Sequence, residues 1–201
     1  MSELKFREAT INDASEIARI VNASYRPKRG AEGWTHESGL VGGERTNAAQ
    51  VEVLLRRSVI LLGVHQLNIV ACVQIELKGR DAHIGMLAVM PAMQSTGIGS
   101  ALLAHAEAHA ATALKAEQFV LVVVEARSEL IEFYARRGYE QAEQGLPYPT
   151  HAGVGTPRRG ELGLSILRKR SNTALNRKRK STAPVDEYVG HTKNLCDEPP
   201  Q

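Results

Sequence analysis

The chain has 201 residues, 43% apolar but only 4% aromatic, with a formal charge of +3. That length supports one domain with a core of Val, Ile, Leu and Ala, and the two cysteines, Cys72 and Cys196, suggest neither a disulfide framework nor a zinc site. From Arg168 onward 8 basic residues face 4 acidic ones, against 17 and 18 before it, so the folded part is near neutral and a nucleic-acid-binding body is not indicated. The N-terminal residues lack an apolar signal core, and no apolar run approaches the ~20 residues that cross a bilayer, so a soluble, cytoplasmic protein is expected.

In chain order, residues 4–9 alternate as a short first strand. Thr10 and Asp13 then form a variant capping box before a helix carrying Ala14, Ile17, Ala18, Val21 and Tyr25 on one face. Residues 26–44 hold five glycines and no sustained period, which predicts a long loop of the kind that forms lids and binding segments. A second helix is expected over 46–57. Three β-rich runs follow, 59–64, 69–77 and 83–90, separated by short polar turns that predict an antiparallel meander. A long helix is expected over 98–115. The continuous apolar run 119–124 reads as a strand covered on both faces. Ser128 caps a helix closed by Gly138, a sixth strand begins at Tyr139, and a last strand covers 161–167 after a Pro/Gly-rich stretch, 145–160. Residues 170–201 lack apolar periodicity and are expected to be a basic, mostly disordered tail.

The segment most informative for function is a strand, Pro91, and the turn Gln94-Ser95-Thr96-Gly97-Ile98-Gly99, which opens a helix. The first amides of a helix have no internal partners and lie at the positive end of its dipole. Glycines at 97 and 99 remove side chains that would hold an anion away, so a pyrophosphate can rest on bare N–H groups. Taken alone, the spacing is equally compatible with a tight turn into an ordinary helix.

Together with the strand at 119–124 and the run Phe133-Tyr134-Ala135-Arg136-Arg137-Gly138-Tyr139, this block resembles the GNAT superfamily of N-acetyltransferases over roughly residues 4–168. The resemblance implies a mixed, mostly antiparallel α/β sheet with helices on both faces and a splayed strand pair. It divides the chain into an acetyltransferase domain, 1–169, and the tail, 170–201. It implies acetyl-CoA as co-substrate, with the pyrophosphate on Gln94 to Gly99 and the pantetheine arm between the strands at 83–90 and 119–124. Backbone groups of Leu87, Ala88 and Val89 would bond the arm and the acetyl carbonyl. The expected reaction is direct transfer of acetyl to a primary amine of a small molecule or a peptide N-terminus.

An ammonium acceptor must lose a proton before it attacks, and the departing thiolate needs a proton or its equivalent. Tyr134 matches the family tyrosine that serves the sulfur. Its other reading is packing beside Leu130 and Ile131. For the base, Glu125 resembles the Glu of a Glu-x-Arg segment in the ribosomal-protein N-terminal branch, His83 holds the strand position where histone-type members carry a Glu, and Glu76 is a third carboxylate nearby. Glu125 leads these three.

Trp34, His36, Glu37, Tyr148 and His151 lie in the two loops that would flank the acceptor. His105 and His109 are four apart on a helix but lack HExxH spacing, so they read as solvated residues, and no metal is expected. The basic clusters at 168–170 and 177–180 leave open a tail that contacts nucleic acid. The alternative function is a non-catalytic acyl-CoA-binding or partner-binding module using that tail. Homodimerisation is also open, and the acceptor is not specified by any motif.

Overall fold

The computed structural model describes residues 3–27, 33–34, 36–150, 153–158 and 160–172. The expected segments recur in the expected order, with two short strands, β2 and β8, added: β1 (Lys5–Glu8), α1 (Ala14–Tyr25), β2 (Val41–Gly42), α2 (Ala48–Leu55), β3 (Val59–His65), β4 (Asn68–Lys78), β5 (Asp81–Val89), α3 (Ile98–Thr112), β6 (Gln118–Val124), α4 (Ser128–Ala135), β7 (Glu140–Pro147), β8 (Thr156–Pro157) and β9 (Gly163–Arg170). Seven strands form one sheet in the order β1-β3-β4-β5-β6-β9-β7, and only β5 and β6 run parallel. The mixed, mostly antiparallel sheet with helices on both faces is as the sequence implied.

α1 and α2 cover one face. Ile17, Ile20, Val21 and Val51 pack there on Ile60, Leu62, Cys72 and Ala88. α3 and α4 cover the other, where Leu102, Leu103, Ala106 and Tyr134 meet Leu61, Val73, Ile84 and Leu121. Each fully buried aliphatic side chain contributes roughly 1.5–3 kcal/mol, so the two clusters dominate the stability of the sheet. The start of α1 is fixed by charge as well as capping. Arg7 donates to both Asp13 oxygens at 2.8 and 2.7 Å, and this pairing holds the Asp13 carboxyl well below the usual carboxylate range.

Two irregularities in β5 position the site. β5 and β6 pair only from Asp81↔Gln118 to His83↔Val120, after which they separate. Against β4, the register shifts by one residue between Cys72 and Gln74, and Met86 takes a positive φ of 50°. The extra residue is a β-bulge, which bends β5 and re-aims its backbone where the splay opens.

Several local expectations are revised. β6 is not covered on both faces, because Val122 is 52% exposed and lines the gap left by the splay. Arg127, not Ser128, occupies the N-cap of α4. His105 stacks on Phe6 at 4.6 Å and His109 stands 3.8 Å from Glu8, so both are half-buried against β1 rather than solvated. The last strand extends to Arg170 and Ser171 is fully buried, so the domain runs past residue 169. The tail from 173, with Cys196 and the 177–180 cluster, lies outside the described residues. The two flanking loops are joined by a ladder the sequence did not signal, with Val41 opposite Pro157 and Gly42 opposite Thr156.

Candidate active site

The separation of β5 from β6 opens two adjoining cavities. One, of about 230 Å³, is lined by Val89, Gln94, Ser95, Gly97, Gly99, Ser100, Trp34 and Phe133. The other, of about 330 Å³, carries the ionisable groups Glu37, Arg45, Glu76, Lys78, His83 and Tyr148. Tyr25, Leu87, Leu130 and Tyr134 line both. A ligand crossing from one cavity to the other must therefore pass these four side chains.

The glycine turn has the form an anion site needs. Gly97 adopts φ +88°, a left-handed conformation costly for other residues, and a Cβ there would meet nothing within 4 Å. The first helical bond runs from the Ala101 amide to the Gly97 carbonyl, so the amides of Ile98, Gly99 and Ser100 have no intrahelical carbonyl to meet. Ser95, also at positive φ, lines the same cavity, and Thr96 donates its hydroxyl to the Met93 carbonyl at 2.7 Å. Beside the turn, Arg137 lies over the Phe133 ring at 3.5 Å and donates to the Ser100 hydroxyl at 2.5 Å, adding positive charge near the helix start. The turn thus fits a pyrophosphate through backbone donors and open space.

Gln94 serves a different purpose from an anion contact. Its amide nitrogen donates to the Val89 carbonyl at 2.9 Å, and its oxygen accepts from the Trp34 amide. The side chain therefore ties the long loop to the end of β5. The Met90 amide bonds the Val70 carbonyl on β4, so ladder alternation turns both backbone groups of Val89 toward the gap. Its carbonyl already accepts from Gln94 and from Ser24 at 2.9 Å, which leaves the N–H as the group directed to a ligand. The Leu87 carbonyl is likewise taken, accepting from the Tyr25 hydroxyl at 3.0 Å.

Tyr134 is 7% exposed, with Phe133 and Tyr139 edge-on at 5.2 and 5.7 Å. Burial pushes its phenol up to about 12, against the opposing pull of Arg137 and Arg127, so it stays protonated at neutral pH. The three base candidates are not brought together. Glu125 lines neither cavity; its carboxylate accepts from the Gly145 amide at 2.6 Å and the Ser165 hydroxyl at 3.3 Å. His83 and Glu76 face each other across β4 and β5 and both line the larger cavity. Burial, followed by Lys78, lowers the His83 pKa and so favours its neutral imidazole. Glu76 is engaged by Lys78 at 3.6 Å and Arg57 at 4.0 Å.

Of the loop residues singled out, Glu37 and Tyr148 line the larger cavity, whereas Trp34 lines the glycine-turn cavity and packs on Phe133 at 5.4 Å. His36 turns back to the Gly33 carbonyl at 2.6 Å and lines neither. His151 lies outside the described residues. Three contributors were missed. Tyr25 resembled a core residue on the helical face, Arg45 follows directly on an aperiodic loop, and Arg127 drew notice only as the last residue of the Glu-x-Arg segment. Arg127 is 6% exposed and donates to the carbonyls of Trp34 at 2.7 Å and His36 at 2.8 Å, holding the loop over the cleft. Among the described residues no cluster suited to a metal ion occurs, and no helix is long and apolar enough to span a membrane.

This fold, with a glycine turn feeding a splayed parallel strand pair, is the one that solved GNAT-family acetyltransferases share. Residues 57–141 match the family model for the acetyltransferase (GNAT) domain, the stretch that holds the splay, the glycine turn and Tyr134. Solved structures share the fold at low identity. An N-acetyltransferase from Staphylococcus aureus Mu50 aligns with a TM-score of 0.65 at 15% identity, over 84% of this chain and 98% of that one. An acetyltransferase from Salmonella typhimurium, solved with its cofactor acetyl-CoA, aligns at 0.62 and 16%, over 85% and 95%. The ribosomal-protein-S18-alanine N-acetyltransferase from Escherichia coli aligns at 0.62 and 14%, over 92% and 99%. No curated protein matches the chain by sequence.

Proposed function

We propose that the protein transfers the acetyl group of acetyl-CoA to a primary amine by direct attack. The meeting of the two cavities at Tyr25, Leu87, Leu130 and Tyr134 carries this reading, because one cavity offers an anion-binding turn and the other a wall of ionisable groups. The amides of Ile98, Gly99 and Ser100, with those of Ser95 to Gly97, would hold the pyrophosphate. The Val89 N–H would bond the pantetheine arm between Leu87 and Val89. The Salmonella typhimurium structure, which contains acetyl-CoA on the same fold, supports that choice of co-substrate.

In this scheme Tyr134 donates a hydrogen bond to the departing sulfur. Its phenol, raised to about 12, is a weaker acid than an ordinary thiol, so it stabilises the thiolate by donation more readily than by full ionisation. His83 is the better supported base, since it lines the acceptor cavity and its surroundings favour the neutral imidazole. It lies four residues before Leu87, about 13 Å along a strand, so the proton reaches it through water. Glu125, with its carboxylate engaged by Gly145 and Ser165, positions the start of β9 instead.

The test is thiol release from acetyl-CoA with a panel of amino acids, polyamines, aminoglycosides and N-terminal peptides. Turnover with at least one amine is expected. A protein that binds acetyl-CoA stoichiometrically and releases no thiol with any of them is a binding module, and the proposal fails.

A further inference from the structure

The larger cavity sorts its charges unevenly. Glu37, 8% exposed, is paired with Arg26 at 3.0 Å, and Glu76 is engaged by Lys78 and Arg57. Both lining carboxylates are therefore already compensated, as is Lys78. Arg45 is different. Its guanidinium has no carboxylate partner among the described residues and lies over the Tyr25 ring, 5.6 Å from the ring centroid.

The position of that guanidinium is set from below. The Asn22 side chain accepts from the amides of Arg45 at 2.7 Å and Thr46 at 3.3 Å, and donates to the Thr46 carbonyl at 2.7 Å. The backbone at 45–46 is thereby pinned to α1. Tyr25, beneath Arg45, bonds the Leu87 carbonyl and lines both cavities. Arg45 thus stands over a ring that lines both cavities. Tyr148, whose hydroxyl donates to the Val154 carbonyl at 3.0 Å, lines the same cavity.

An uncompensated guanidinium in a partly desolvated cavity favours an anion, and its planar fork matches a carboxylate. Polyamines and aminoglycosides present the wrong charge to it. A protein N-terminus presents a neutral amide where the carboxylate would be. Resting on the acetyl-transfer reading above, we infer that the acceptor is a free amino acid, whose carboxylate is bound by Arg45 while its adjacent amine lies beside Tyr25 and Tyr134. The amine nitrogen gains the acetyl group and loses a proton, the thioester carbon–sulfur bond breaks, and the thiol leaves.

The experiment compares kcat/KM for free α-amino acids with that for their carboxamides, with spermidine and an N-terminal peptide as further arms. At least one amino acid should exceed its own amide by about tenfold or more, the worth of one charge-assisted hydrogen-bonded pair. Arg45→Gln should bring that ratio close to one, and Arg45→Lys should retain part of it, while melting temperature and acetyl-CoA affinity hold. Amides equal to or better than acids, a ratio that survives in Arg45→Gln, or turnover confined to spermidine or the peptide would each overturn the inference and leave acetyl transfer standing. Stoichiometric acetyl-CoA binding with no thiol release in any arm would remove both.

Discussion

The two halves of the cleft are built by different means. The half proposed to hold the cofactor comes largely from one continuous stretch, 87–99, in which a strand end, a proline turn and two glycines deliver backbone amides to a single place. The half proposed for the acceptor draws Tyr25, Glu37, Arg45, Tyr148 and Val154 from separate segments. Those segments are held by side chains, with Arg127 on the carbonyls of Trp34 and His36, Asn22 on the backbone at 45–46, and the short β2–β8 ladder between the loops. A site made of backbone can keep its function while the surrounding side chains vary. A site made of converging side chains is free to change its substrate.

Tyr134 belongs to both halves, so its loss should have the largest effect. Tyr134→Phe removes one hydroxyl and keeps the ring that packs on Phe133 and Tyr139. If the hydroxyl serves the sulfur, kcat should fall by roughly 10²–10⁴ with little change in acetyl-CoA affinity. Stopped-flow or steady-state thiol release measures this, and a wild-type kcat would reduce Tyr134 to a packing residue.

Gly99→Leu addresses the cofactor half alone. A Cβ at Gly99 makes only ordinary contact, 3.5 Å from Val89, so the fold should accept it while the side chain occupies the ligand space. Losing two charge-assisted bonds to the pyrophosphate would weaken acetyl-CoA about a hundredfold by calorimetry. Unchanged affinity would move the pyrophosphate elsewhere. Gly97 is a poorer probe, because its φ of +88° would add backbone strain to any side chain.

The same contrast explains what could be read from the residues. Gly97 and Gly99 before a helix, a meander of β-rich runs and the aromatic run at 133–139 are local signals, and they located the sheet, the turn and Tyr134. The splay was implied by the family resemblance, whereas the bulge at Met86 left no mark in composition or period. Tyr25 occupies a helical apolar position, and only the tertiary path of β5 brings its hydroxyl to the Leu87 carbonyl. Arg45 and Arg127 sit in segments without periodicity, so nothing local separates a site guanidinium from a solvated one. Glu125 drew attention through its neighbour Arg127, yet its side chain turns toward Gly145 and Ser165.

Arg127→Gln would loosen the acceptor half while sparing the glycine turn. Two loop carbonyls lose a buried, charged donor, and an effect of about 1.4 kcal/mol on loop placement corresponds to a tenfold rise in acceptor KM. Acetyl-CoA affinity should change less. Trp34 is the only tryptophan, so its emission reports directly whether the loop has moved. A KM that stays put would show that the β2–β8 ladder and Asn22 hold the acceptor wall unaided.

The smallest expected effect is a change of shape in the pH–rate profile, and it decides which group accepts the proton. Burial and Lys78 favour the neutral His83 imidazole, partly offset by Asp81 and Glu76, while Arg168 adds to the lowering. Its titration midpoint therefore lies below the ordinary value of about 6.5, and the wild-type rate should fall only as pH drops through that lower midpoint. Above it the base is already in working form and the profile should be flat. Removing the imidazole in His83→Gln leaves the amine to deprotonate unaided, so the rate should climb with pH and approach wild type only in the alkaline range where the amine itself titrates. Glu125→Gln keeps an oxygen for the Gly145 amide and should retain the wild-type limb. The opposite pattern, with the limb lost in Glu125→Gln and intact in His83→Gln, would return the base to Glu125. A limb intact in both variants would pass the role to Glu76, the remaining carboxylate facing His83 across the two strands.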